Sequence, residues 1–97
     1  MSGTIAFRPG ATLTLSASSS SSGGTIDPSC PTLEIQNAGN EAVFVRWGIG
    51  AQTAVVTDYP VLAGQAKKIS IGSGNTHVAC VTGSGSCTVY VTSGEGL

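Results

Sequence analysis

Cys30, His77, Cys80 and Cys87 are the residues of this 97-residue sequence whose types best suit metal ligation or nucleophilic chemistry. A zinc site brings paired ligands to one ion, commonly through C-x-x-C spacing, and no such pair occurs. On an extended strand, His77 and Cys80 point to opposite faces. For His77 to act as a general base it needs a Ser or Cys nucleophile and an orienting carboxylate beside it, and no motif supplies them. Asp27, Glu34, Glu41, Asp58 and Glu95 show no paired-carboxylate spacing. Gly72-Ser-Gly74 and Gly83-Ser-Gly85 join strands, whereas a phosphate loop leads from a strand into a helix. Hence the sequence predicts a protein that is not an enzyme, with no cofactor and no metal site.

Cys80 and Cys87 flank the turn-prone Gly83-Ser-Gly-Ser86. In a hairpin with a two- or four-residue loop, Thr82 faces Cys87. Cys80 is then a diagonal neighbour near the upper limit for a disulfide, while an odd loop separates the two by face. With three cysteines in all, an odd number, free buried thiols acting as small hydrophobes are expected.

The remaining candidates are contact residues. Ile5 and Phe7, with Arg8, sit on an otherwise plain arm ending at Pro9-Gly10, where apolar side chains would anchor on a neighbouring subunit. On the body, Tyr59-Pro60 combines a ring favoured at interface hot spots with a residue that loses little entropy on docking. Arg46 and Trp47 close an apolar strand and complete the expected contact set, while Phe44 is expected in the core. A sugar-binding module is the runner-up class, and it requires rings among Phe44, Trp47, Tyr59 and Tyr90 to lie coplanar on one exposed face.

Strands must position these groups. Ala11-Thr-Leu-Thr-Leu-Ser-Ala17 alternates with period two, the pattern of a strand buried on one face. The run Ser18 to Ser22 with Gly23-Gly24 reads as a loop or tether. Thr32-Leu-Glu-Ile-Gln36 alternates again and enters a tight reversal at Asn37-Ala-Gly-Asn40, where positive φ is expected. Glu41-Ala-Val-Phe-Val-Arg-Trp47 is apolar nearly throughout, as for a central strand covered on both faces. Thr53-Ala-Val-Val-Thr57 and Lys67-Lys-Ile-Ser-Ile71 read as further strands. Thr76 to Thr82 and Cys87 to Thr92 read as a hairpin.

Composition agrees with that pattern. Fourteen Gly, 13 Ser and 11 Thr, with nine Val and six Ile, leave few helix formers and favour an all-β chain. The predicted fold is a small antiparallel β-sandwich or jelly-roll-like barrel of about seven to eight short strands. Residues 1–10 form an arm, and residues 11–97 one domain with a Ser/Gly-rich loop at 18–24.

Only 9% of residues are charged and the formal net charge is −1, so no basic stripe exists to neutralise phosphates and no nucleic-acid partner is expected. No apolar run suits a bilayer, and Met1 to Arg8 lacks a signal-peptide pattern; the expectation is synthesis in a cytoplasm and no membrane partner. A secreted adhesin would need an export signal and paired cysteines. A surface so poor in charge suits a protein packed against others.

Three segments carry a resemblance: Asn37-Ala-Gly-Asn-Glu-Ala-Val-Phe-Val-Arg-Trp-Gly48, then Tyr59-Pro-Val-Leu-Ala-Gly64, then Val89-Tyr-Val-Thr-Ser-Gly-Glu-Gly96. Together they resemble the small β-rich virion structural proteins of tailed bacteriophages, over about residues 11–97. The resemblance implies a capsid decoration or cement protein in the virion, made in the host cytoplasm. It would be homo-oligomeric, with a trimer favoured, and would bind the phage major capsid protein or other virion proteins. A place in the tail, head-tail connector or fibre base is the alternative within the same group.

Overall fold

Alternating apolar and hydroxyl residues and abundant β-branching resolve into eight strands in the computed structural model, which describes residues 7–96. These are β1 (Arg8–Ala17), β2 (Ser22–Thr25), β3 (Thr32–Asn37), β4 (Val43–Gly48), β5 (Tyr59–Val61), β6 (Ala66–Ser70), β7 (His77–Thr82) and β8 (Cys87–Glu95). No helix occurs among the described residues.

The strands form two four-stranded antiparallel sheets, ordered β1-β8-β3-β6 and β2-β7-β4-β5. The pairs β1:β8, β2:β7, β3:β6 and β4:β5 are nested, as if one long hairpin had been rolled up, with β3:β8 and β4:β7 closing the two sheets. Such nesting is the jelly-roll form of the β-sandwich. Every connection except β4 to β5 therefore passes from one sheet to the other.

Inward-facing Leu15 and Ala17 of β1, Leu33 and Ile35 of β3, and Val89 and Val91 of β8 meet Val43 and Val45 of β4, Val61 of β5 and Val78 and Cys80 of β7. These side chains are almost wholly buried and form the core. Asn37 is the polar exception at 2% exposure. Its Nδ2 donates to Glu41 O at 2.7 Å and Val61 O at 3.0 Å, and its Oδ1 accepts from Gly39 N at 3.0 Å, tying two connections to the end of the core. The reversal expected there rests on this side-chain network, with no positive φ at Asn37, Gly39 or Asn40.

Four further expectations are corrected. The segments around residues 83–86 are strands, but β7 and β8 belong to different sheets, so they form no hairpin. Residues 53–57 form no strand. Part of the Ser/Gly run is β2, paired with β7, and its two glycines sit where a side chain has no room: a Cβ at Gly23 would lie 2.6 Å from Val78 O of β7, and one at Gly24 2.8 Å from Leu13 Cδ2 of β1. Finally, β1 already begins at Arg8, inside the expected arm.

Candidate functional site

Residues 49–58, the connection from β4 to β5, lie as a strap on the outer face of the β2-β7-β4-β5 sheet. Its underside is Ala54, which packs with Ala79, Val81 and Phe44 in a second, smaller apolar cluster. Phe44 thus lies beneath the strap and outside the main core. The strap is pinned at its middle by Ala54 N donating to Ser21 Oγ at 2.9 Å. Near its end, Asp58 Oδ2 accepts from Val55 N at 2.8 Å while Arg46 Nε and Nη2 donate to Asp58 Oδ1 at 3.2 and 3.1 Å. The Val55 amide, seconded by Arg46, holds the Asp58 carboxyl below its ordinary value against the opposing effect of burial.

With its polar groups satisfied in this way, the strap turns apolar side chains outward. Among the described residues, six large hydrophobic side chains are exposed, and five of them fall between positions 49 and 62: Ile49 (80%), Val55, Val56, Tyr59 and Leu62. Tyr90 lies apart from them on β8. The one ion pair in this stretch, Arg46 with Asp58, is closed within the molecule, so the surface is apolar and close to neutral. Isolated exposed hydrophobes need no explanation, but three on one short strap, Ile49, Val55 and Val56, with Leu62 just beyond β5, are an unusual concentration for a chain with so few large exposed apolar side chains.

The expected contact residues divide between this surface and its margins. Pro60 is exposed beside Phe44, its cross-strand partner. Trp47 and Tyr59 continue the inward-facing rows of β4 and β5 and close the open flank of the sandwich. Their rings meet edge to face, with centroids 6.0 Å apart and planes at 66°, and Lys67 Nζ lies 5.5 Å from the Tyr59 centroid. With planes at that angle, these two rings form no coplanar platform of the kind a sugar-binding module needs. Arg46 is engaged with Asp58. Phe7 is half-buried on its own sheet, where a Cβ at Gly94 would lie 2.7 Å from its ring and Lys68 Nζ stands 5.7 Å from its centroid. Arg8 is exposed opposite Glu95, and Ile5 lies outside the described residues.

Cys80 and Cys87 share the main core and, with half-buried Cys30, are free thiols. Burial, and secondarily Cys87 nearby, pushes the Cys80 thiol up to about 11. His77 Nδ1 shares a 2.8 Å hydrogen bond with Thr76 Oγ1. Among the described residues no three His, Cys, Asp or Glu side chains gather as a metal site. Sequence reasoning missed Ile49, Val55, Val56 and Leu62. The signal available was a pair of adjacent valines with no alternation beyond them, between Gly50 and Pro60.

With this geometry in hand, no protein family, no curated protein and no solved structure matches the chain.

Proposed function

We propose that this protein is a non-enzymatic structural component of a tailed-phage virion, a decoration protein that docks on the major capsid protein lattice and reinforces it. The observation that carries the proposal is the concentration of exposed apolar side chains between positions 49 and 62, above all Val55 and Val56 on the pinned strap, where the one ion pair is closed within the molecule. Further support comes from the scarcity of charge across the chain, which weakens the repulsion that keeps soluble proteins apart.

The mechanism is additive burial. Each copy removes a modest apolar area from water where it bridges capsid subunits, so a distortion of the shell has to break many such contacts together. No chemistry is required of the docked protein. It needs a fold that does not deform and a surface held in one conformation, and the pinning of the strap through Ser21 and Asp58 provides the second.

Co-sedimentation of the purified protein with empty capsids of its phage tests the proposal. Saturable binding at a fixed ratio to the major capsid protein is the expected result. No binding to capsids, together with a few copies on whole particles, would instead place the protein at the tail, connector or fibre base.

A further inference from the structure

A β-sandwich has four edge strands, each with a row of unpaired backbone groups, and natural proteins protect such edges against pairing with other chains. Three of the four edges here are protected. The edge strand β5 has three residues and includes Pro60, which has no N–H to offer. At β6, Lys67 and Lys68 supply charge. Strand β2 has four residues, two of them glycine, and the strap runs alongside it. The fourth edge, β1, is ten residues long and carries no charge after Arg8. Among the described residues, Pro9 and a register shift between Pro9 and Thr12 spoil the ladder at one end. From Thr12 to Ala17 its register with β8 is regular.

That regular stretch is its own complement. Read outward in both directions from Thr14, the residues are Leu13 and Leu15, then Thr12 and Ser16, then Ala11 and Ala17. Two copies of β1 laid antiparallel with Thr14 on the two-fold axis would set leucine opposite leucine, hydroxyl opposite hydroxyl and alanine opposite alanine. Such pairing also keeps the faces in phase, with Leu13 and Leu15 on the core side and Thr12, Thr14 and Ser16 on the outer side of a sheet continuous across both copies. An uncharged edge brings no like charges together when it meets itself. On the core side, Leu13 is only half-buried and borders a cleft of about 160 Å³ whose lining includes Ile26 and Val91, so an approaching copy has apolar ground to cover. At the far end, Ser22 Oγ caps Ser16 O at 3.0 Å, a hydroxyl contact that a backbone N–H can replace.

We infer that the protein self-associates as a two-fold dimer through antiparallel pairing of β1, residues Thr12 to Ser16 of each copy forming the seam. Such an edge-to-edge contact is isologous and closes at two copies, whereas a trimer requires a heterologous contact. The dimer therefore departs from the trimer implied by the phage resemblance. It does not depend on the capsid proposal, and its test uses no capsid.

Sedimentation of the full chain at about 100 μM should give a dimer that dissociates on dilution. Thr14 is exposed on the outer face, and its two copies would stand opposite each other on the axis. Thr14→Glu and Thr14→Lys, each alone, should therefore raise the dimer dissociation constant about tenfold or more, while an equimolar mixture of the two restores association. A folding defect would not be rescued by mixing. In a Cys30→Ser background, Thr14→Cys should cross-link between copies under mild oxidation and Thr12→Cys should not, because the axis separates the two Thr12 positions by four residues along the strands. A monomeric wild type, an oligomer indifferent to both charges, or cross-linking at Thr12 but not Thr14 would overturn the inference.

Discussion

Replacing Val55 and Val56 together by serine removes apolar surface from the strap without touching its anchors, since Ala54, Asp58 and Ser21 are left in place. Full burial of a valine side chain is worth about 1.5–3 kcal/mol. Val55 is 45% exposed and Val56 54% exposed, so about half of that value per residue remains to be gained on docking. The double variant should lose about 1.5–3 kcal/mol of binding per docked copy, a rise in dissociation constant of roughly 10- to 150-fold. A binding isotherm by co-sedimentation with empty capsids reads this directly. The melting temperature, measured in parallel, should stay within about 2–3 °C, because exposed positions away from caps and buried networks contribute little to folding. An isotherm superimposable on that of the unaltered protein, with the fold intact, would refute the assignment of this strap as the docking surface.

Three other perturbations probe the scaffold beneath. Asn37→Ala should lower the unfolding free energy by about 2–4 kcal/mol in urea titration, because it strands the Glu41 and Val61 carbonyls and the Gly39 amide that its side chain satisfies; a loss below about 0.5 kcal/mol would show the network to be dispensable. Cys80 titrates near its ordinary value of 9.0 when unfolded and at about 11 when folded, so the stability it lends is complete below pH 9 and disappears as pH rises to 11. That interval should see a fall of about 2–3 kcal/mol that Cys80→Ala abolishes, and identical pH slopes for the two proteins would contradict the burial assigned to this thiol. Asp58, depressed below its ordinary 3.8, grips the Val55 amide above that pH and releases it as pH falls through the lowered value; the amide resonance of Val55 should titrate below pH 3.8 and lose that transition in Asp58→Asn.

Most strands were legible because their side chains alternate. Residues 11–17, 32–36, 43–47, 67–70 and 87–92 all carry a one-face or two-face apolar pattern that matches the burial found. Covering of β4 on both faces was also foreseen, although its second cover is the strap carrying Ala54. Sheet membership was not legible, since alternation states which face of a strand is buried and says nothing of its neighbours; β7 and β8 follow each other in sequence and yet lie in opposite sheets. Residues 53–57 misled for a related reason. Strand propensity expresses fit to a pleated, half-buried surface, and Val55 and Val56 here find no ladder and turn outward, with the Val55 and Ala54 amides taken by Asp58 and Ser21 side chains. Composition marks the Ser/Gly run as a loop or tether, whereas Ser22–Thr25 takes its order from the ladder with β7, and its glycines fit beside Val78 O of β7 and Leu13 of β1.

Of the candidate contact residues, Tyr59 and Pro60 stand out in sequence by residue type, and five of the six exposed large hydrophobic side chains among the described residues fall between positions 49 and 62. Local sequence leaves Trp47 open between core, rim and contact surface, and it closes a flank of the core; Phe7, expected as an anchor on the arm, rests on its own sheet. An aromatic ring is attractive to any apolar ground, and which ground is nearest depends on tertiary contacts that local sequence does not encode.

The most direct test of the central claim is the number of copies of this chain per major capsid protein in purified phage particles, measured by quantitative mass spectrometry. A decoration protein gives a fixed, lattice-set ratio with copies at every equivalent site, and that ratio is the predicted result. Absence from the particle, or only a few copies per particle, would contradict it.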